Sequence, residues 1–105
     1  MTREYSADLQ KLFLEMMLCD AQNFVRVQNI YNSENFDRSL RETAKFINEY
    51  SDKYKSLPSP EQIKATTGTE LKVDPNMSEH SEWFTNEFEQ FTKRQELERA
   101  ILKSA

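Results

Sequence analysis

The chain has 105 residues with 14 basic and 18 acidic side chains, a net charge of −4, one Gly, one His, one Cys and three Pro. That length holds one domain. A single glycine excludes a Gly-rich phosphate loop and a dinucleotide fingerprint, and one His far from one Cys leaves no zinc set.

Low Gly and Pro content, no Asn-Gly or Asp-Gly turn and no long apolar–polar alternation predict helices rather than strands. Seven Phe, four Tyr and one Trp supply the apolar area for a compact core. The first helix is expected from about Ala7 to Cys19. Ser6 caps it and Asp8 suits its positive first turn. Leu9, Leu12, Phe13, Met16 and Met17 recur at helical spacing and make one apolar stripe. The run Met16 to Cys19 is far shorter than the roughly 20 residues of a membrane helix, and no membrane partner is expected. No basic-then-apolar leader opens the chain. Cys19 has no second cysteine to pair with, which fits a reducing cytoplasm. At the end of an apolar stripe it reads as a packing residue rather than a reactive thiolate.

Asp20 is the expected cap of a second helix, Ala21 to about Tyr31, with Phe24, Val27, Gln28 and Tyr31 on one face. The turn between the first two helices is very short, so they cross at a sharp angle. Asn32 to Asn35 reads as a loop, from which Phe36 plugs the core. The third helix spans about Arg38 to Tyr54. Ser39 and Glu42 have capping-box spacing, with Asp37 as a rival cap. Its buried side is Leu40, Thr43, Ala44, Ile47, Tyr50 and Tyr54. Leu57-Pro58-Ser59-Pro60 stops it and opens a fourth helix, with Ser59 as cap, Pro60 in the first position and Gln62 closing the box. Gly68 ends that helix near Thr67. Thr69 to Asn76 is a loop with an extended piece at Leu71-Lys72-Val73.

The last helix is the longest, from about Ser78 to the chain end. Phe84, Phe88, Phe91, Gln95 and Glu98 follow one stripe, flanked by Trp83, Leu97, Ile101 and Leu102. The stripe turns polar after Phe91, so the first half packs on the domain and the second half projects. Leu97, Ile101 and Leu102 then need a partner. The expected fold is all-α, a compact orthogonal bundle of about five helices with the last one long and projecting.

Several motifs have bland readings that outweigh the chemical ones. His80 between Glu79 and Glu82 lacks an orienting partner and reads as solvated surface rather than a metal or acid/base site. The carboxylates are abundant, but none is paired in a way that sequence can show, which leaves a glycosidase-like pair as a minor reading. Ser59 to Gly68 has the length of half a helix-turn-helix, but Asp74-Pro75 follows where a recognition helix belongs. Lys93, Arg94, Arg99 and Lys103 are basic enough to touch phosphate. The segment just before them, Asp74 to Gln90, holds five acids and no base. A protein-facing or solvated surface is the stronger reading. Surplus aromatics left on the surface mark protein interfaces.

The order of these features carries a resemblance. An apolar helix ends in Met17-Leu18-Cys19-Asp20, and Phe24 follows in a second helix. Ser33-Glu34-Asn35-Phe36 precedes a helix with Phe46-Ile47 and Tyr50, and Leu57-Pro58-Ser59 opens the short one. His80-Ser81-Glu82-Trp83 then leads to Phe91-Thr92-Lys93-Arg94-Gln95. This resembles the N-terminal domain of DnaB-type replicative hexameric helicases, most of all the primase-helicase subunit of T-even-like bacteriophages, over nearly the whole chain. The resemblance implies a head at about residues 7–91 and the start of a hairpin helix at about 92–105. It implies a non-catalytic collar that assembles with further copies of itself, as a hexamer in the full-length parent, and engages primase. The second hairpin helix, the linker and the ATPase domain would follow in a longer parent. ATP, magnesium and DNA contact are implied only for that further domain, and no cofactor or metal for this chain.

The interface expected from this reading comprises Phe13 and Met17 on the first helix with Phe88, Phe91, Arg94, Leu97 and Ile101 on the last. A stand-alone helical adaptor binding one protein partner through the same surface is the alternative. A nucleic-acid module using the four bases, and an enzyme with strongly perturbed acids, stand behind both.

Overall fold

A computed structural model of the protein describes residues 5–104. Ala105 and the side chains of Leu102 and Lys103, both assigned roles above, lie outside the described residues. The described residues are helical, in the order α1 (Ala7–Cys19), α2 (Ala21–Val27), α3 (Arg38–Tyr54), α4 (Pro60–Thr67) and α5 (Ser81–Ser104). Two 3-10 turns, Ser33–Asn35 and Pro75–His80, precede α3 and α5. No strand forms among the described residues, and Leu71 simply anchors an extended loop in the core.

Local chemistry explains most boundaries. The Ser6 hydroxyl accepts from the Leu9 amide at 3.2 Å and starts α1. One residue separates α1 from α2: Asp20, whose carboxylate accepts from the Gln22 amide at 3.0 Å. Asp37, not Ser39, caps α3; its Oδ2 accepts from the Ser39 amide at 3.1 Å and from the Ser39 hydroxyl at 2.6 Å. Those bonds hold the Asp37 carboxyl below its ordinary range, helped less by Arg41 and Arg38. In α4 both halves of the box form: the Ser59 amide donates to Gln62 Oε1 at 2.8 Å, and the Gln62 amide to Ser59 Oγ at 3.2 Å. Gly68 ends it at φ 79°, a left-handed conformation that costs glycine nothing. Lys55 ends α3 in the same region, at φ 56°.

Two boundaries differ from expectation. α2 stops at Val27 instead of Tyr31. Beyond it the chain tightens to i,i+3 bonds, with the Ile30 amide 3.0 Å from the Val27 carbonyl. The β-branched Val25, Val27 and Ile30 are weak helix formers, and the Tyr31 hydroxyl is held away on α3, donating to the Ala44 carbonyl at 2.6 Å. At the other end, Asp74 and Pro75 set up a 3-10 turn, so α5 begins at Ser81 rather than Ser78.

The core is an aromatic cluster centred on Phe13 and Phe88. The Phe13 ring lies 5.6 Å from Phe88, 5.5 Å from Phe91 and 6.0 Å from Phe84. Phe36 plugs the cluster as expected, 5.4 Å from Phe91. Most of the aromatics are thus consumed by packing. Tyr54, expected on the buried side of α3, is instead 56% exposed because it falls past the last turn that touches the core; its ring rests 4.6 Å from Tyr50.

Burial of Tyr31 pushes its phenol well above the ordinary value, near 10. The fold favours the neutral form. Stability is therefore expected to be insensitive to this group below about pH 10 and to fall above it, as the unfolded chain ionises and the native one does not. Tyr31→Phe should cost about 1 kcal/mol at neutral pH and show a shallower alkaline decline in urea titrations across pH. An unchanged alkaline profile would show that Tyr31 does not set it.

Candidate protein interface

The structure divides the seven expected interface residues into two groups. Phe13 and Met17 (both 0% exposed), Phe88 (1%) and Phe91 (0%) are core residues. Their assignment to an interface is corrected: no partner reaches them while the head is folded. α1 and the first half of α5 satisfy each other's apolar stripes, with Phe24, Val27 and Phe36 closing the cluster.

Leu97 and Ile101 are 60% and 58% exposed. Helix geometry explains this. At 100° per residue, Phe84, Phe88, Phe91 and Gln95 cluster on one line of α5, whereas Leu97 and Ile101 lie roughly 110–150° around from it. Arg94 shares their line, so Arg94, Leu97 and Ile101 form an i, i+3, i+7 stripe. Arg94 Nε donates to Glu98 Oε1 at 3.1 Å, one turn along. Trp83 sits near the same line but leans inward, 39% exposed and 6.4 Å from the Phe13 ring.

The inner side of α5 is tied down as far as Arg99. Gln95 Nε2 donates to the Asn35 carbonyl at 2.8 Å, and the Arg99 guanidinium comes within 3.9 Å of the Glu34 carboxylate. The stripe that leaves the head bare is therefore the outer one.

The remaining motifs resolve into structure. His80 is exposed at the end of the 3-10 turn before α5. Cys19 is half-buried, and its thiol donates to the Asp74 carbonyl at 3.1 Å, joining α1 to the loop before α5. Lys93 sits in a groove with Arg26, Glu89 and Glu96, and Arg94 and Arg99 face carboxylates, so these bases are interleaved with acids. No helix among the described residues is long and apolar enough to cross a membrane.

Sequence reasoning missed three polar features. Gln10, 4% exposed, donates through Nε2 to the Tyr5 carbonyl at 2.7 Å and accepts the Asp37 amide on Oε1. Buried Thr43 meets the hydroxyls of Thr67 at 3.1 Å and Thr69 at 2.7 Å, joining α3 to α4. Arg38, Arg41 and Arg94 line one cleft. A glutamine in an apolar stripe is the one signal that was available; the others join residues remote in the chain. Comparison with known protein families, curated proteins and solved structures finds no match to this chain.

Proposed function

We propose that this chain is an assembly head, a helical domain that associates with other protein chains through the outer stripe of α5. The observation that carries it is the pair Leu97 and Ile101, 60% and 58% exposed on a helix whose first half is locked into the core by Phe84, Phe88 and Phe91. Two large aliphatic side chains held out on one line of a helix fit another helix better than water. The sequence resemblance gives this reading its specific form: the N-terminal collar domain of a DnaB-type phage replicative helicase, supporting hexamer formation and primase engagement in DNA replication. The domain itself is non-catalytic in that reading, and ATP, magnesium and DNA belong to a further domain of the parent.

Sedimentation of the chain over the micromolar range tests the interface. Concentration-dependent association is expected, weakened at least about tenfold in Leu97→Ser/Ile101→Ser, since each aliphatic side chain buried in an interface is worth roughly 1.5–3 kcal/mol. The helical signal and Tm of the variant should stay near those of the parent chain. A collapse of the fold would make the pair core and overturn the assignment. The helicase form has its own check: the natural gene is expected to continue past codon 105 into a second hairpin helix, a linker and a G-x-x-x-x-G-K-[ST] phosphate loop. A stop codon there would overturn that form and leave the adaptor reading, to be pursued by partner capture.

A further inference from the structure

A second surface feature lies beside the outer stripe and shares Arg94 with it, but neither Leu97 nor Ile101. The start of α3 and the middle of α5 enclose an open cleft of about 530 Å³, and three arginines, Arg38, Arg41 and Arg94, are among the residues that line it. The chain carries a net charge of −4, yet among the described residues the lining holds three arginines against two carboxylates, Asp37 and Glu98. Bringing like charges together costs free energy unless something offsets it.

The two carboxylates offset part of that cost, since Glu98 pairs with Arg94 itself and Asp37 lies in the field of Arg41 and Arg38, which leaves one positive charge in excess. Asp37 Oδ2 accepts two bonds from Ser39, and Glu98 Oε1 accepts from Arg94 Nε. The Arg41 Nε donates to the Phe36 carbonyl at 3.0 Å, which fixes the plane of that guanidinium. Among the described residues the terminal nitrogens of Arg41 and Arg94 have no hydrogen-bond partner, and Arg38 makes neither a hydrogen bond nor an ion pair. Arg94 is held from behind as well, because its neighbour Gln95 is bonded to the Asn35 carbonyl.

We infer that this cleft binds a phosphate-class oxyanion, with Arg38, Arg41 and Arg94 as its ligands. A guanidinium presents a planar fork of donors, and a carboxylate fills one such fork. A tetrahedral oxyanion offers oxygens to two or three forks at once, which matches arginines arriving from two helices. The volume exceeds a bare phosphate and admits a phosphorylated small molecule. Bound there, the anion bridges the head to the helix bearing the outer stripe.

Amide NMR titration of the chain tests this, with inorganic phosphate and ADP as separate probes at constant ionic strength and chloride as control. Saturable shifts confined to residues around Arg41, Arg94 and Gln95 are expected. They should weaken at least about tenfold in Arg38→Gln/Arg94→Gln, a pair chosen because neither side chain supports the core; an unchanged circular dichroism spectrum checks the fold. Arg41 is left in place for its bond to Phe36. Tighter binding of ADP than phosphate would identify a nucleotide-type ligand, and equal binding a free anion. The inference is overturned by non-saturable shifts, by an equal response to chloride or by full retention in the double variant. It is also overturned if a single-stranded oligonucleotide binds while neither small probe does.

Discussion

Phe13→Ala is expected to bring the domain close to unfolding at room temperature. The ring is fully buried and touches Tyr5, Trp83, Phe84, Phe88 and Phe91, so its loss empties the centre of the cluster rather than an edge. Truncating a buried Phe costs about 3–5 kcal/mol, and a small domain has about 5–15 kcal/mol in total. Rigid neighbours on two helices cannot collapse into the space without shifting α5 against α1, so the upper half of that range applies. A fall in Tm of roughly 15–30 °C follows for a chain of this size. Tyr54→Ala is the control: its ring is 56% exposed, and its loss should change stability by no more than about 0.5 kcal/mol. Comparable losses for the two variants would mean that the aromatic cluster is not the centre of the fold.

The second large effect is expected from a polar residue. Gln10 sits at 4% exposure between the segment before α1 and the cap of α3, bonded to the Tyr5 carbonyl on one side and the Asp37 amide on the other. Gln10→Ala removes the protein partner of the Asp37 amide and of the Tyr5 carbonyl, two part-buried groups beside the open cleft. A net hydrogen bond is worth about 0.5–1.5 kcal/mol, so a loss of roughly 1–3 kcal/mol is expected in urea denaturation. Gln10→Glu separates hydrogen bonding from packing. The introduced carboxyl keeps the shape; ionised, it accepts the Asp37 amide but donates nothing to Tyr5. Burial raises its folded-state pKa above the unfolded value near 4.3. The variant should therefore approach the parent's stability near pH 5 and fall behind it by pH 7.5, as the proton is lost on unfolding. Equal deficits at both pH values would assign the effect to packing alone.

Helix existence was legible because it is written locally. Ser6, Asp20, the Ser59–Gln62 box and Gly68 each act within four residues of themselves, and all four act in the fold as the sequence predicts. The end of α2 was less legible, since Tyr31 leaves helical geometry in favour of a bond to Ala44 on another helix. The division of the apolar residues between core and surface was legible only in half. An apolar stripe looks alike whether its partner is the same chain or another one, so Phe88 and Phe91 could not be told from Leu97 and Ile101 by hydrophobicity. Angular position on α5 separates them, but only once the direction of the core is known. The arginine cleft had no local signature, because Arg41 and Arg94 meet through the packing of α5 beside the loop that carries Phe36.

The single continuous α5 has a mechanical consequence. At about 1.5 Å per residue, its 24 residues make a rod of roughly 36 Å. Phe84, Phe88 and Phe91 clamp one end in the interlocked aromatic cluster, and the Gln95 bond to the Asn35 carbonyl braces the shaft. Proline and glycine, the usual weak points of a helix, are missing from its sequence. A load applied near Ile101 is therefore transmitted as tilt of the whole head instead of being absorbed by a bend along the way. Head and rod turn together, and whatever grips the outer stripe sets the orientation of the entire domain.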